Sequence, residues 1–289
     1  MSEYGAQNMV APLARVIVSR PSSTMGSADT ETWHYGAGLT QDALDEQHRD
    51  FIAQLEKCGA QIEFMDAPTQ LYDAVFTHDP SLVSNHGAIL MHMGKPLRRG
   101  EADAHAECYT KLGVPILGRI ESPGSVEGGD CVWLDESNLV VGRGFRTNQA
   151  GIDQLCAMLE PNGVTINVFD LPVCHGEAAC LHLMSIISLL DHNLALIYKP
   201  LMPVAFYQML QSHGIEMIEA DIDEFENSGG LSLNVLATAP RQCLAVAGFE
   251  NTRHAMEAAG CSVDVFNGDD LCIKCEGGPT CLTRPLLRR

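Results

Sequence analysis

Basic residues are scarce in this chain. Among its 289 residues, 18 are lysine or arginine against 37 aspartate or glutamate, a formal net charge of −19. That imbalance speaks against nucleic acid and anionic membranes as partners, because their phosphates would be repelled. It favours a cationic ligand only weakly, since a solvated acidic surface is ordinary for a soluble protein. Long hydrophobic runs are also missing. The longest apolar region, Leu181 through Tyr198, is broken by His182, Ser185, Ser188, Asp191, His192 and Asn193, so no transmembrane span is expected. A hydrophobic content of 46% excludes general disorder. Cysteines number 11, yet they lack the order of a disulfide framework. Their odd count, the absence of a secretory signal and scattered positions (Cys58, Cys108, Cys131, Cys156, Cys174, Cys180, Cys243, Cys261) point to a reducing cytoplasm. Cys272 and Cys275 form a C-x2-C pair that Cys281, Cys174 and His175 could complete as a zinc site, but no second pair has ligand spacing.

What is present is a repeat of structure rather than of letters. Val16 to Ser19 reads as a strand, Ala43 to Cys58 as an amphipathic helix and Gln61 to Met65 as a closing strand. The pattern then returns four times. Val75 to Phe76 and Ser81 to Val83, turning at Asn85 to Gly87 into Ala88 to Met93, open the second unit. Cys131 to Trp133 opens the third, Ser185 to Leu190 the fourth and Ser232 to Ala237 the fifth, each followed by a strand, a helix and a strand. The reading is an α/β fold of about five units with a period of roughly 50 to 60 residues. Residues 20–40 are the weak part of the first unit. Rich in Gly, Ser, Pro and Thr, with Trp33, His34 and Tyr35, they read as a mobile loop that is either a surface connection or a lid over a ligand.

Polar residues fall at equivalent places in these units. Asp73 and Asp79 bracket the opening of the second, Glu127 and Asp130 introduce the third, His182 the fourth, and Gly229 and Gly230 the fifth. Cys281 follows its close in the run Glu276, Gly277, Gly278, Pro279, Thr280, Cys281, Leu282, Thr283. Glycines there allow backbone to approach a ligand. A free cysteine is usually core filler, and a lone histidine is usually structural. In a closed pseudosymmetric ring, however, equivalent positions converge on one cavity. A thiol needs a base or a cationic neighbour, and His182 is the candidate. Asp79 and Glu127 would hold a cationic planar group through the fork geometry a guanidinium requires.

At these residues the chain resembles the guanidino-group modifying superfamily, the penteins, and within it the dimethylarginine dimethylaminohydrolases. The likeness spans essentially the whole chain. It is carried by Asp73 to Asp79, by Arg98 and Arg99 before Glu101, and by Glu127, Gly128, Gly129, Asp130. Val141, Gly142, Arg146, Thr147, Asn148, then Leu181, His182, Leu183 and the closing Gly, Cys, Thr segment complete it. The resemblance implies a five-bladed α/β propeller over residues 1–289 as a single catalytic domain. It implies Cys281 as nucleophile, His182 as general acid and base, and Asp79 and Glu127 as guanidinium-orienting acids. Asp73 would help hold the substrate's amino-acid end, with Arg98 and Arg146 as carboxylate anchors. His78 stands where dimethylargininases place a substrate-holding glutamate. Met184 stands where deiminases and amidinotransferases have an aspartate, which leaves apolar room for a methylated guanidinium and also admits a neutral ureido group. The expected activity is hydrolysis of N-omega,N-omega-dimethyl-L-arginine to L-citrulline and dimethylamine, with no cofactor and no metal and with a small guanidino molecule as partner. Arginine deimination, amidino transfer, ureido hydrolysis and non-catalytic binding of an arginine-like ligand remain as alternatives, and a homo-oligomer is compatible with all of them.

Overall fold

The computed structural model describes residues 3–174, 176–177, 179 and 181–289. His175 and Cys180 lie outside the described residues. The first sheet contains β1 (Leu13–Ser19), followed by the short helix α1 (Thr30–Trp33), the long helix α2 (Gln41–Lys57) and β2 (Gln61–Met65). The second has β3 (Ser81–Ser84), β4 (Gly87–Leu90), α3 (Glu101–Leu112) and β5 (Ile116–Arg119). The third has β6 (Cys131–Asp135), β7 (Asn138–Arg143), α4 (Gln149–Leu159) and β8 (Thr165–Asp170). The fourth has β9 (Ile187–Asp191), β10 (Leu194–Ile197), α5 (Val204–Ser212) and β11 (Glu216–Glu219). After α6 (Ile222–Asn227), which the sequence reading did not include, the fifth has β12 (Leu236–Ala239), β13 (Gln242–Val246), α7 (Glu250–Ala258) and β14 (Ser262–Phe266). The last strand, β15 (Arg284–Arg288), returns to the first sheet, giving five three-stranded sheets in all.

Every sheet obeys one rule. Its middle strand pairs antiparallel with an inner strand and, across a helix, parallel with an outer one. Parallel pairing demands a crossover of helix length, which fixes the repeat at about the size seen in the sequence. Burial falls from inside to outside. β3 and β4 are buried throughout, whereas β5, β8 and β11 are partly or fully exposed along their length. The helices cover the sheets through narrow apolar stripes. In α2, Leu44, His48, Phe51 and Leu55 recur at three- and four-residue spacing and are buried, and Thr40 caps the helix by accepting from the Ala43 N–H.

Two expectations are corrected. The openings of units two, four and five begin as turns, not strands: Val75, Ser185 and Ser232 lie in the 3-10 turns Tyr72–Val75, Leu183–Ser185 and Leu231–Leu233, and Phe76 follows the first. Their backbone donors are taken up by local bonds such as Phe76 N–H to the Asp73 carbonyl and Ser185 N–H to the His182 carbonyl. The first unit, which lacked an opening strand in the sequence, borrows it from the other end of the chain. β15 pairs with β1, Ile17 opposite Arg284 and Val16 opposite Pro285, with bulges nearby that accommodate a proline lacking an N–H.

Residues 20–40, expected as a mobile loop, contain a 3-10 turn at Met25–Ser27 and the helix α1. Met25, Trp33 and Tyr35 are buried. The Trp33 ring meets Tyr72 edge-on with centroids 5.0 Å apart, and the Gly36 N–H donates to the Lys274 carbonyl at 2.7 Å.

Candidate active site

The turns before β3, β6 and β9 deliver three polar side chains to one place. Glu127 precedes the 3-10 turn Gly128–Asp130 and is fully buried. His182 Nε2 lies 2.7 Å from Glu127 Oε2, and because an ionised carboxylate only accepts, Nε2 carries the proton. Asp79 accepts from Arg98 Nη1 at 2.6 Å on one oxygen and from the Gly129 N–H at 2.8 Å on the other, and the latter oxygen lies 4.0 Å from His182 Nδ1. Glycine at 129 makes this approach possible: a Cβ there would sit 2.5 Å from His182 Nδ1 and 2.9 Å from Asp79 Oδ1. Burial would push both carboxyls up. Instead the hydrogen bond and charge of His182, with Arg146, hold Glu127 at about 2. His182, Arg98 and His78 likewise hold Asp79 well below the usual carboxylate range against burial. Both acids are therefore anionic at neutral pH.

Asp130 orients the histidine without touching it. Its Oδ1 accepts from the Leu183 N–H at 2.9 Å and its Oδ2 from Thr147 at 2.6 Å, while Ser185 Oγ accepts from the His182 N–H at 3.2 Å. The Glu127 N–H in turn donates to the Thr147 hydroxyl at 3.1 Å, which ties the two turns together.

Cys281 reaches the same place from the far end of the chain. The His78 N–H donates to its carbonyl at 3.1 Å, so the segment carrying Asp79 runs beside it. Its thiol is partly exposed and accepts from Asn234 Nδ2 at 3.0 Å, and Asn234 Oδ1 accepts from the Thr280 N–H at 3.0 Å. One amide thus clamps both the sulfur and its backbone. The glycine turn has a steric reason. A Cβ at Gly277 would come within 2.3 Å of the Phe76 ring, and one at Gly278 within 2.6 Å of the Asn234 amide. Burial pushes the thiol up, and the Asp79 charge adds to it. The Asn234 bond, the Gly278 backbone and the His182 charge oppose without reversing the shift.

The remaining expected residues divide. Asp73 is buried beside the site, with one oxygen accepting from the Tyr35 hydroxyl at 2.7 Å and the other from Lys95 Nζ at 2.6 Å. Arg146 lies against Glu127 at 3.3 Å. Arg98, expected as a carboxylate anchor, has its guanidinium engaged within the protein. Its Nε and Nη2 donate to Glu101 at 2.8 to 3.0 Å, Nη1 donates to Asp79 and Nη2 also to the Phe76 carbonyl at 2.9 Å. Glu101 is 0% exposed, and burial pushes its carboxyl up to about 8 against the charge and hydrogen bond of Arg98. His78, expected among the substrate-binding residues, has its ring engaged elsewhere. Its ring Nδ1 bonds the Thr283 carbonyl at 2.9 Å, and burial together with the Arg284 charge pulls it down to about 3. With Met184 it lines an interior cavity walled by Val132, Ile187 and Thr280, apart from the acid cluster. Lys95 and Asn234 were missed by sequence reasoning, and Tyr35 was read only as part of a loop or lid. Lys95 carries the clearest signal in retrospect, a cation three residues before Arg98 in an acid-rich chain.

Asp79, Glu127 and His182 offer ligand atoms within 4.8 Å of one another, a spacing that suits a metal ion as well as an organic cation. Among the described residues no such group includes the cysteines. Cys275 Sγ donates to the Asp270 carbonyl and Cys174 is exposed. Among the described residues, no helix is long and apolar enough to cross a membrane.

The described residues form five similar three-stranded sheets, an α/β propeller whose turns bring an imidazole and two fixed carboxylates together. The family model for arginine deiminase matches residues 68–214, half of the chain, and the chain belongs to that family of penteins. It is 27% identical to the N(G),N(G)-dimethylarginine dimethylaminohydrolase of Pseudomonas aeruginosa over 93% of its own length and 97% of that protein. To the arginine deiminase of Clostridium perfringens it is 24% identical over 87% of its length and 69% of that protein. A structure of the Pseudomonas aeruginosa dimethylarginine dimethylaminohydrolase in complex with citrulline superposes with a TM-score of 0.76 at 25% identity, covering 96% of this chain and 100% of the other.

Proposed function

We propose that this protein is a cysteine hydrolase of guanidino compounds, with N-omega,N-omega-dimethyl-L-arginine as substrate and L-citrulline and dimethylamine as products. The observation that carries this reading is the pair of buried, anionic carboxylates on either side of His182, with the Cys281 thiol within reach of the charges of Asp79 and His182. Two fixed anions in a buried site leave room for a cation, and a planar one meets them with parallel N–H donors. In the proposed reaction the Cys281 thiol passes its proton to His182 and the thiolate attacks the central guanidinium carbon. His182 gives that proton to the leaving amine as the carbon–nitrogen bond breaks, leaving an amidino thioether. The imidazole then takes a proton from water, the resulting hydroxide attacks the same carbon, and the sulfur leaves and recovers a proton from His182, while the remaining hydroxyl proton passes to solvent and the carbon becomes a ureido group.

The upward shift of the thiol fits this order of events. Burial and Asp79 disfavour the thiolate, and a bound guanidinium supplies the positive charge that reverses both. Activation is then conditional on substrate, and the thiol is protected from other electrophiles between turnovers.

Deimination of unsubstituted arginine is the second reading, favoured by the family match over residues 68–214. Incubation with asymmetric dimethylarginine, arginine and citrulline in separate reactions, assayed for citrulline, dimethylamine and ammonia, decides between them. Dimethylamine release that disappears in Cys281→Ser supports the first reading. Ammonia from arginine with no dimethylamine from the methylated substrate supports the second, and activity that survives the substitution removes Cys281 as nucleophile.

A further inference from the structure

The interior cavity beside His78 and Met184 lies where the inner strands of four blades meet. Its walls include Val132 on β6, Ile187 and Ser188 on β9, Leu236 on β12 and Arg288 on β15, with Met9 completing them. Its volume of about 20 Å³ holds one small ion or one water, and a polyatomic anion does not fit. Arg288 brings a charge to this space. It is 7% exposed, and among the described residues its Nε and Nη2 have no hydrogen-bond partner, while Nη1 donates to the Ala11 carbonyl at 2.7 Å. Buried donors are rarely left unmet, and those of a cation least of all. Nor is the charge offset. Among the described residues no carboxylate acts on Arg288, and the group that does is a second buried cation, Arg284, four residues earlier on the same strand. Asp79 lends its charge to Arg284 and not to Arg288. Burial and Arg284 pull the Arg288 guanidinium down to about 9, which still leaves it a cation at neutral pH.

We propose that this cavity is a binding site for a small monovalent anion, chloride, held by Nε and Nη2 of Arg288. These two nitrogens point their N–H groups along one edge of the guanidinium, a fork that closes on a single-centred anion. A water would meet the donors but not the charge. The hydroxyls at the cavity are already committed, Ser188 donating to the Leu233 carbonyl at 2.7 Å and Thr280 to the Val235 carbonyl at 3.0 Å, so the guanidinium carries the site. Apolar walls such as Val132, Ile187 and Leu236 suit a halide, which gives up its hydration more readily than a carboxylate or phosphate does. The anion joins β15 to the third, fourth and fifth blades by cancelling the charge they enclose, because a buried cation without a counter-charge works against the packing around it. Its effect is on the closed ring. The inference stands apart from the reaction proposed above.

Melting temperature at constant ionic strength tests it. Replacing gluconate, which is too large for the cavity, by chloride at about 200 mM should raise the melting temperature of the unsubstituted protein by about 3 °C or more, and bromide should act likewise. Arg288→Met, similar in volume and uncharged, should melt at one temperature in all three salts. An equal rise in the variant would mark a general salt effect and overturn the proposal, as would no rise in the unsubstituted protein. Diffraction from crystals grown in bromide gives a reading that needs no variant, should Arg288→Met not fold. An anomalous peak within hydrogen-bond reach of Arg288 Nε and Nη2 supports the site, and a water in that place overturns it whatever the melts show. A bromide peak without the melting shift is binding at crystal concentration only and overturns it too. Hydrolysis of guanidino compounds enters neither readout, so that reading and this one stand or fall separately.

Discussion

The two ends of the site are built on different principles. At the reacting end, Asp79, Glu127 and His182 come from the turns of three successive units and are fixed by bonds to backbone, to Arg98 and to Thr147 through Asp130. None of these partners needs to move for a cation to be held. At the distal end, Asp73 and Lys95 hold each other, under a cover made by Trp33 and Tyr35. The first arrangement is preorganised electrostatics of the kind that lowers barriers. The second is a set of charges that can change partners, which suits recognition.

The sharpest way to break the contrast is at the reacting end. Cys281→Ser and His182→Ala should each lower kcat for dimethylarginine on the order of 10⁴-fold or more, measured by citrulline release, with the fold intact by circular dichroism. Asp79→Asn should cost about 10²- to 10³-fold in kcat/KM, since it removes a fixed charge from the cation's place. The two arginines then separate structure from recognition. Arg98→Met strands Asp79 and Glu101 in the interior and should lower unfolding free energy by about 3–5 kcal/mol in a denaturant titration. Arg146→Met, at a partly exposed position, should cost about 1 kcal/mol and register mainly as a raised KM. Asn234→Ala, which unclamps the thiol from the Thr280 backbone, should cost about tenfold in kcat/KM and slow alkylation of Cys281 by iodoacetamide.

A further effect is one of pH. Burial holds His78 and His105 down at about 3 and His48 at about 4. An unfolded chain protonates these rings near pH 6.5 while the folded one does not. The unfolded state therefore binds more protons below that pH. The part of the stability that these rings carry is full above about 6.5 and should decline toward pH 3 to 4, by about 1.4 kcal/mol per pH unit for each buried histidine. Melting temperature measured from pH 7.5 to 4.5 should fall, and His78→Asn should flatten the decline. A flat profile in the unsubstituted protein would count against the buried neutral state of these rings.

Much of the reacting end was legible without coordinates. Asp79, Glu127, His182 and Cys281 each stand at the start or close of a unit, and a ring brings such positions together whatever the details of its packing. The units themselves were legible because strand and helix periodicities alternate so regularly. What escaped is what depends on which nearby charge finds which. Arg98 and Arg146 look alike in sequence, and only the buried Glu101 three residues after Arg98 makes one a rivet and leaves the other at the site. His78 and Asp79 are adjacent, yet the turn that carries them sends one to the Thr283 carbonyl and the other to the acid cluster. The strand assigned at Val75 and Phe76 failed because two apolar residues cannot be told from a buried turn by pattern alone. β15 was unreadable for a different reason, since its partner lies some 270 positions away.

That last pairing orders the protein's assembly in time. The contact between residues 13–17 and 284–288 has the greatest sequence separation of any strand pair in the ring, so its loop-closure entropy is met only after the other four sheets can form locally. Cys281 lies three residues before that closing strand. A growing chain can complete four blades and assemble the whole acid cluster, yet it gains its thiol and its last seam together. Catalytic competence and circularity are then a single event, and any truncation that removes β15 should yield an unclosed ring rather than a weakened enzyme.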